Sequence, residues 1–341
     1  MSAVSNSSGG VWAASWRRLK TDRVGMACMA IVGLFLVLVL LAATDRIAAN
    51  WQQEVGVPNA PPTLLGPQPP EDTGTIAVPK GPNVDLSDID PLAPRYAEWA
   101  ERAKAFKTDE APRAETLPLG GDRLGRDVLA KVIKGAEVSI FVGLAAAVVA
   151  TLIGTVLGAL SGFFGGKLGD FLEWVYNVFT AIPSILLIFA FAAIFSRGIT
   201  SVVLILALTG WTGIYRLIRA EFMKHRSREY VRSAEAIGAS QWSRMFKHIL
   251  PNVSHVALVQ LSLHVVSFIK SEVILSYLGL GVGVDQVSWG TMLAEAQNEM
   301  ILGYWWQLAA VTALMAIFVT AFALFTDALR DALDPKLRGL E

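Results

Sequence analysis

The spacing of its apolar runs limits this chain more than any other feature. Val24–Ala43 is about twenty residues without a charge, and a helix of that length, rising 1.5 Å per residue, crosses about 30 Å of hydrocarbon. Further apolar runs follow at about 138–162, 170–195, 198–219, 254–278 and 305–326. Together they predict an all-α integral membrane protein with six transmembrane helices. Helices satisfy their own backbone groups in lipid, and no stretch alternates as a barrel strand does. Charged residues make up 17% of the chain, against about a quarter in soluble domains. Cys28, the single cysteine, lies inside the first run, which excludes an internal disulfide and a cysteine-based metal site.

Charge places the runs relative to the membrane. Arg17, Arg18, Lys20 and Arg23 precede the first run, so segment 1–23 is expected in the cytoplasm and 24–44 as the first transmembrane helix. A cleaved signal peptide, with Ala42 and Ala43 as its small residues, competes for this segment. Its apolar core is longer than the usual 7–15 residues. Segment 45–136 is polar and holds Pro58, Pro61, Pro62, Pro67, Pro69 and Pro70. It is expected outside the membrane, as extended backbone with one surface helix near 90–107. The five remaining runs form a core, 137–328, with a cytoplasmic loop at 222–252 and a cytoplasmic tail at 329–341. The loop region 216–254 carries eight Lys/Arg against three acids, 279–304 carries no Lys or Arg, and the tail has Arg330, Lys336 and Arg338.

The cytoplasmic loop is the most unusual polar segment. Between Ser227 and His248 the residues favour helix, with Gly238 inside and Pro251 as a stop. Tyr230, Ala234 and Ile237 recur at helical spacing and predict one apolar stripe on a basic helix. Ala234 and Gly238, four apart, are expected on one face, where another backbone could come close. Two roles fit these residues equally well: a basic helix lying on anionic membrane lipid, or a docking element for a protein.

The stretch Arg232-Ser233-Ala234, Gly238 and His248-x-Leu250-Pro251-Asn252 resembles the EAA loop of permease subunits of ATP-binding cassette (ABC) importers, in the form found in the dipeptide/oligopeptide/nickel branch. Arg232 and Ser233 stand where the general pattern has Glu and Ala. Leu119-Gly-Gly-Asp122-Arg-Leu-Gly125-Arg126-Asp127, Leu275-Ser-Tyr-Leu-Gly-Leu-Gly281, Ser288-Trp289-Gly290 and Asp327-x-x-Arg330-Asp331-x-x-Asp334-Pro335 are similar to that branch in the same order. The match is to its DppC/OppC-like member.

The resemblance implies a type I ABC importer permease fold in a bacterial inner membrane, forming half of a path for di- or oligopeptides or related small solutes. Nickel and antibiotic-peptide importers of the same family stay open. The implied partners are a second homologous permease, two ABC ATPase subunits and an external substrate-binding protein. The loop residues Arg232, Ser233, Ala234, Gly238, His248, Leu250, Pro251 and Asn252 would receive motion from an ATPase. ATP and Mg would be bound by those partners, so this chain is expected to hold no cofactor and to be no enzyme.

Lys270 and Glu272 lie inside the fifth run, where a charge costs at least about 2.5 kcal/mol. Two residues apart on a helix they point to nearly opposite faces, so each needs its own partner or water. With His264 they are candidates for the translocation path or for pairing within the membrane. The external signature Asp122, Gly125, Arg126 and Asp127 reads as a turn in which Asp127 caps a short interfacial helix, or as a contact for a binding protein. The glycines at 279, 281 and 283 lack the rest of a dinucleotide fingerprint, and Gly165-Gly166-Lys167 lacks phosphate-loop spacing. No nucleophile–base pair and no metal-ligand spacing stands out, and nothing points to nucleic acid. A self-sufficient secondary transporter using Lys270 and Glu272, and a receptor or scaffold using 45–136, are the competing classes.

Overall fold

The structure, a computed structural model, describes residues 11–67, 91–105 and 113–333. Pro69, Pro70 and the stretch from Asp334 onward lie outside the described residues. Two compact units emerge: one contains the chain up to Trp51 and from Leu129 on, the other Gln52–Val128.

The first unit is helical. Helix α1 (Val11–Thr21) is followed by α2 (Arg23–Ala43), whose first turn is capped by Asp22 accepting from the Val24 amide at 3.0 Å. The other membrane elements are α4 (Val128–Phe164), α5 (Gly166–Thr180), α6 (Ser184–Ile194), α7 (Ile199–Arg226), a continuous helical stretch Gln241–Tyr277, and α12 (Trp306–Leu333). Among the described residues five helices are long and apolar enough to cross a membrane, and α5 with α6 passes the same test as a bent pair, a sixth span if the two are taken as one. Because α4 starts at Val128, residues 128–136 belong to a helix rather than to irregular backbone.

The run at 170–195 was expected as one span, and the structure breaks it. Helices α5 and α6 meet at 88° across Ala181-Ile182-Pro183. Pro183 has no N–H to continue the ladder and biases Ile182 away from helical angles. Hydropathy reports composition and is blind to direction.

Glycine sets how closely α4 and α7 approach. A Cβ built at Gly154, Gly158 or Gly162 would lie 2.7, 2.7 and 2.5 Å from the carbonyl oxygens of Trp211, Tyr215 and Arg219. Small residues four apart let two backbones touch in a membrane, where apolar side chains gain little by leaving lipid. The seam continues into a buried cluster of Ala159, Phe163, Ile214, Ile218, Phe222, Val231, Met245, Ile249 and Val253.

Past Tyr277 the chain holds a further helix, α11 (Trp289–Ile301), where a loop was expected. Ser288 caps it with its hydroxyl on the Thr291 amide, and Thr291 reaches back to the Ser288 amide. Trp289 is fully buried, donating through Nε1 to the Val132 carbonyl at 3.2 Å.

The second unit contains α3 (Tyr96–Ala105), 3-10 turns at Thr63–Leu65 and Ala93–Arg95, and, as strand pairing among its described residues, isolated β-bridges. Segment 54–63 is laced to 114–126 by backbone bonds such as Gly56 N–H to Gly125 O at 2.8 Å and Gly121 N–H to Ala60 O at 2.7 Å.

Candidate functional site

The loop at 222–252 does not form one helix from Ser227 to His248. Helix α8 covers Glu229–Ala236 and stops. Gly238 has φ +86°, donates to the Glu235 carbonyl at 2.9 Å, and lets the Ala239 amide reach Ala234 O at 2.9 Å. This is a Schellman ending, in which a residue without Cβ takes the left-handed position. The chain then turns and restarts as α9 (Gln241–Ser243), capped by Ser240. It passes through a π-helical turn, Arg244–Ile249, directly into α10 (Leu250–Tyr277). Pro251 therefore stops nothing. It sits in the first turn of α10, just after the π turn closes with the Leu250 amide on the Met245 carbonyl.

The inner and outer faces of α8 also differ from the expected stripe. Val231 and Ala234 are buried against the chain's own core. Ala234 is thus unavailable as a seat for a partner, correcting the expectation that it shares an open spot with Gly238. Tyr230 is partly exposed and hydrogen-bonded to His225 Nδ1 at 2.8 Å. Burial pushes the Tyr230 pKa up while the Asn252 side chain and Arg228 oppose it, so the hydroxyl stays neutral at physiological pH. Arg232, Ser233, Ile237 and Gly238 are exposed, as are Glu235 and Ala236 between them. Ile237 is 85% exposed, and nothing lies within 4 Å of a Cβ placed on Gly238.

Several contacts fix α8 in place. Arg244 reaches from the π turn to Glu235 at 2.7 Å while lying over the Phe163 ring at 5.8 Å. Trp242 stacks on Phe246 at 5.9 Å and meets Phe164 edge-on at 5.6 Å. His248 and Leu250 are half-buried, and Pro251 and Asn252 are exposed. The Asn252 amide donates to the His248 carbonyl at 2.7 Å.

Within the membrane unit, Glu272 is fully buried on α10 and accepts from Ser276 at 2.6 Å, with the Ser139 and Ser288 hydroxyls beside it. Lys270 is exposed, so the two do not pair and no ion-coupling dyad exists between them. The half-buried His264 packs its ring on Phe268 at 5.0 Å. Sequence reasoning missed a second polar cluster. Lys131 on α4, fully enclosed, meets Glu295 on α11 at 2.6 Å, and Gln307 on α12 donates to the Met292 carbonyl at 3.1 Å. The charge at Lys131 was visible, but its place just before the second apolar run made it look like a flank rather than an enclosed group.

In the second unit, Asp122 Oδ1 accepts from the amides of Leu124 and Arg126, both at 2.9 Å, and its residue is 2% exposed. A Cβ on Gly125 would meet the Gly56 carbonyl oxygen, its nearest neighbour. Both residues shape the turn from inside. Arg126 and Asp127 are half-buried, and Asp127 precedes a helix of 37 residues rather than a short one.

Residues 154–339 match the family described as binding-protein-dependent transport system inner membrane component. The chain belongs to this family. It is 34% identical over 247 residues to the oligopeptide transport system permease protein OppC of Bacillus subtilis (strain 168), covering 72% of this chain and 81% of that protein. The dipeptide transport system permease protein DppC of Lactococcus lactis subsp. cremoris (strain MG1363) is 27% identical over 324 residues, 94% of this chain and 90% of that one. The glutathione transport system permease protein GsiD of Pectobacterium atrosepticum is 36% identical over 223 residues, 65% and 73%. The chain is therefore a multi-pass ABC importer permease, a transport component and not an enzyme, with the all-α membrane fold of that family. Its partners include an ATPase and a substrate-binding protein.

Proposed function

We propose that this chain supplies half of the translocation path of an ATP-driven importer for peptides or related small solutes. It pairs with one homologous permease and two ATPase subunits in a bacterial inner membrane, with both termini cytoplasmic and segment 52–128 outside. The carrying observation is the broken span. Taken as one span, α5 and α6 part by 88° at membrane depth, and residues 180–186 are all exposed. Bent backbone at that depth is tolerated only where protein covers it or water lines it. The chain's own helices do not cover it, so a second subunit and a water-filled path account for it best.

At the cytoplasmic end, α8 with Arg232, Ser233, Ile237 and Gly238 outward serves as the ATPase-coupling element, and His248 to Asn252 set its root. The relatives named for oligopeptides, dipeptides and glutathione support a peptide-like cargo. The test is to purify the tagged full chain in mild detergent. Co-purification of a second permease and ATPase subunits is the expected result. A lone chain that catalyses ion-dependent uptake in liposomes would refute the reading.

A further inference from the structure

Beside α8, the cytoplasmic ends of α4, α5 and α7 enclose a cavity of about 470 Å³ whose walls include Arg219, Arg226 and Arg232, with Asp170 as the acidic lining residue. The three guanidinium groups come from two elements, α7 and α8. Arg219 is held by Ser161 at 3.0 Å and Glu173 at 3.3 Å. Arg226 lies over Phe163 at 6.0 Å, and its guanidinium is 3.7 Å from where a Cβ on Gly165 would stand. Gly165 and Gly166 form the opposite lip. There the first amides of α5 have no acceptor within the helix, and no side chain caps them. Nothing lies within 4 Å of a Cβ on Gly166, so the lip is open. Arginine forks and free amides around one hollow match the oxygens of a phosphate.

A second feature separates the possible sources of that phosphate. From the lip, α5 presents the exposed side chains of Leu168, Phe171 and Trp174, the two rings stacked at 6.1 Å. Trp rings favour the headgroup level of a membrane, and Leu168 and Phe171 beside Trp174 offer an apolar strip to the acyl chains that begin there. We propose that the cavity seats the phosphate of an anionic phospholipid from the cytoplasmic leaflet, with its acyl chains along Leu168, Phe171 and Trp174. One headgroup then joins α5, α7 and the coupling helix α8, so leaflet charge sets how firmly α8 is held. The proposal needs neither a particular cargo nor the ATPase.

The test uses the full chain with its co-purifying subunits in nanodiscs of phosphatidylglycerol or phosphatidylcholine, with retained lipid measured by native mass spectrometry. Retention of phosphatidylglycerol over phosphatidylcholine is expected. Arg226→Glu should lower that preference by about tenfold or more, given about one kcal/mol per basic residue at an anionic surface. Gly166→Asp, at φ +53° where Asp is tolerated, should do the same without removing an arginine. Lys20→Gln removes a basic residue of α1 and sets the loss due to surface charge alone, which both cavity variants should exceed. Equal retention of the two lipids by the unsubstituted protein, or an unchanged preference in both cavity variants, overturns the proposal. Displacement of the lipid by inorganic phosphate at matched concentration would assign the site to a soluble anion instead, and overturns it as well.

Discussion

The α4–α7 seam predicts a specific cost for one methyl group. In Gly158→Ala the new Cβ would lie 2.7 Å from the Tyr215 carbonyl oxygen, 3.0 Å from Ile218 Cβ and 3.2 Å from the Arg219 amide. Two of these three neighbours are backbone, so no side chain can swing aside. Restoring an ordinary separation of about 3.5 Å requires the helices to part by roughly 0.8 Å. Overpacking of this kind costs about 1–3 kcal/mol, while Ala in place of Gly returns up to about 1 kcal/mol of helix propensity. Gly213→Ala, on α7 with nothing within 4 Å of the new Cβ, isolates the propensity gain. The two variants should therefore differ by about 2 kcal/mol in unfolding free energy. Denaturant unfolding of the full chain in mild detergent, followed by tryptophan fluorescence, measures the difference. If Gly158→Ala and Gly213→Ala agree within about 0.5 kcal/mol, the seam is looser than described and the reasoning fails.

Three further outcomes follow from other contacts. Glu295→Gln should destabilise the full chain by about 3 kcal/mol, because Lys131 is enclosed. Lys131→Met should cost clearly less, since the Glu295 side chain is 36% exposed and can turn to water; thermal unfolding of both, with the order reversed, would contradict the burial argument. Gly238→Ala should weaken the end of α8 by about 1 kcal/mol through its left-handed backbone. Gly238→Asp should abolish transport while membrane insertion stays intact, read by uptake in vesicles and by alkaline extraction; coupled transport in Gly238→Asp would remove the coupling assignment. Asp122→Ala should release two amide bonds and make segment 52–128 more protease-sensitive, at a cost of about 1–3 kcal/mol, whereas unchanged cleavage kinetics would deny Asp122 its role in the turn.

Much of the fold was legible because membrane helices are written in composition: a run without charges and of sufficient length is enough. Direction is not written there. Pro183 stood in the sequence inside an apolar run, yet the same run suits a kinked helix or an 88° corner, and neighbouring packing decides between them. The loop at 222–252 shows a related limit. Periodicity placed Ala234 and Gly238 on one face, but which face turns inward depends on Phe222, Met245 and Ile249, contributed by other segments. Gly238 carried a signal that could have been read as an ending, since a glycine after a helical stretch commonly takes the left-handed cap. Lys131 was the least legible residue, because its partner Glu295 lies 164 positions away.

The uninterrupted stretch from Gln241 to Tyr277 has a mechanical consequence. Its 37 residues make a rod of about 55 Å, nearly twice the thickness of the hydrocarbon. The rod begins inside the loop at 222–252 and ends beside the serines around Glu272. Helix α8 joins it through a corner at Gly238 and a strut from Glu235 to Arg244. The assembly resembles a crank: a short throw, a braced corner, and a long shaft whose π turn and Pro251 lie near the corner. If α8 receives the ATPase as proposed above, a push on it should arrive as tilt or rotation at the far end of this stretch.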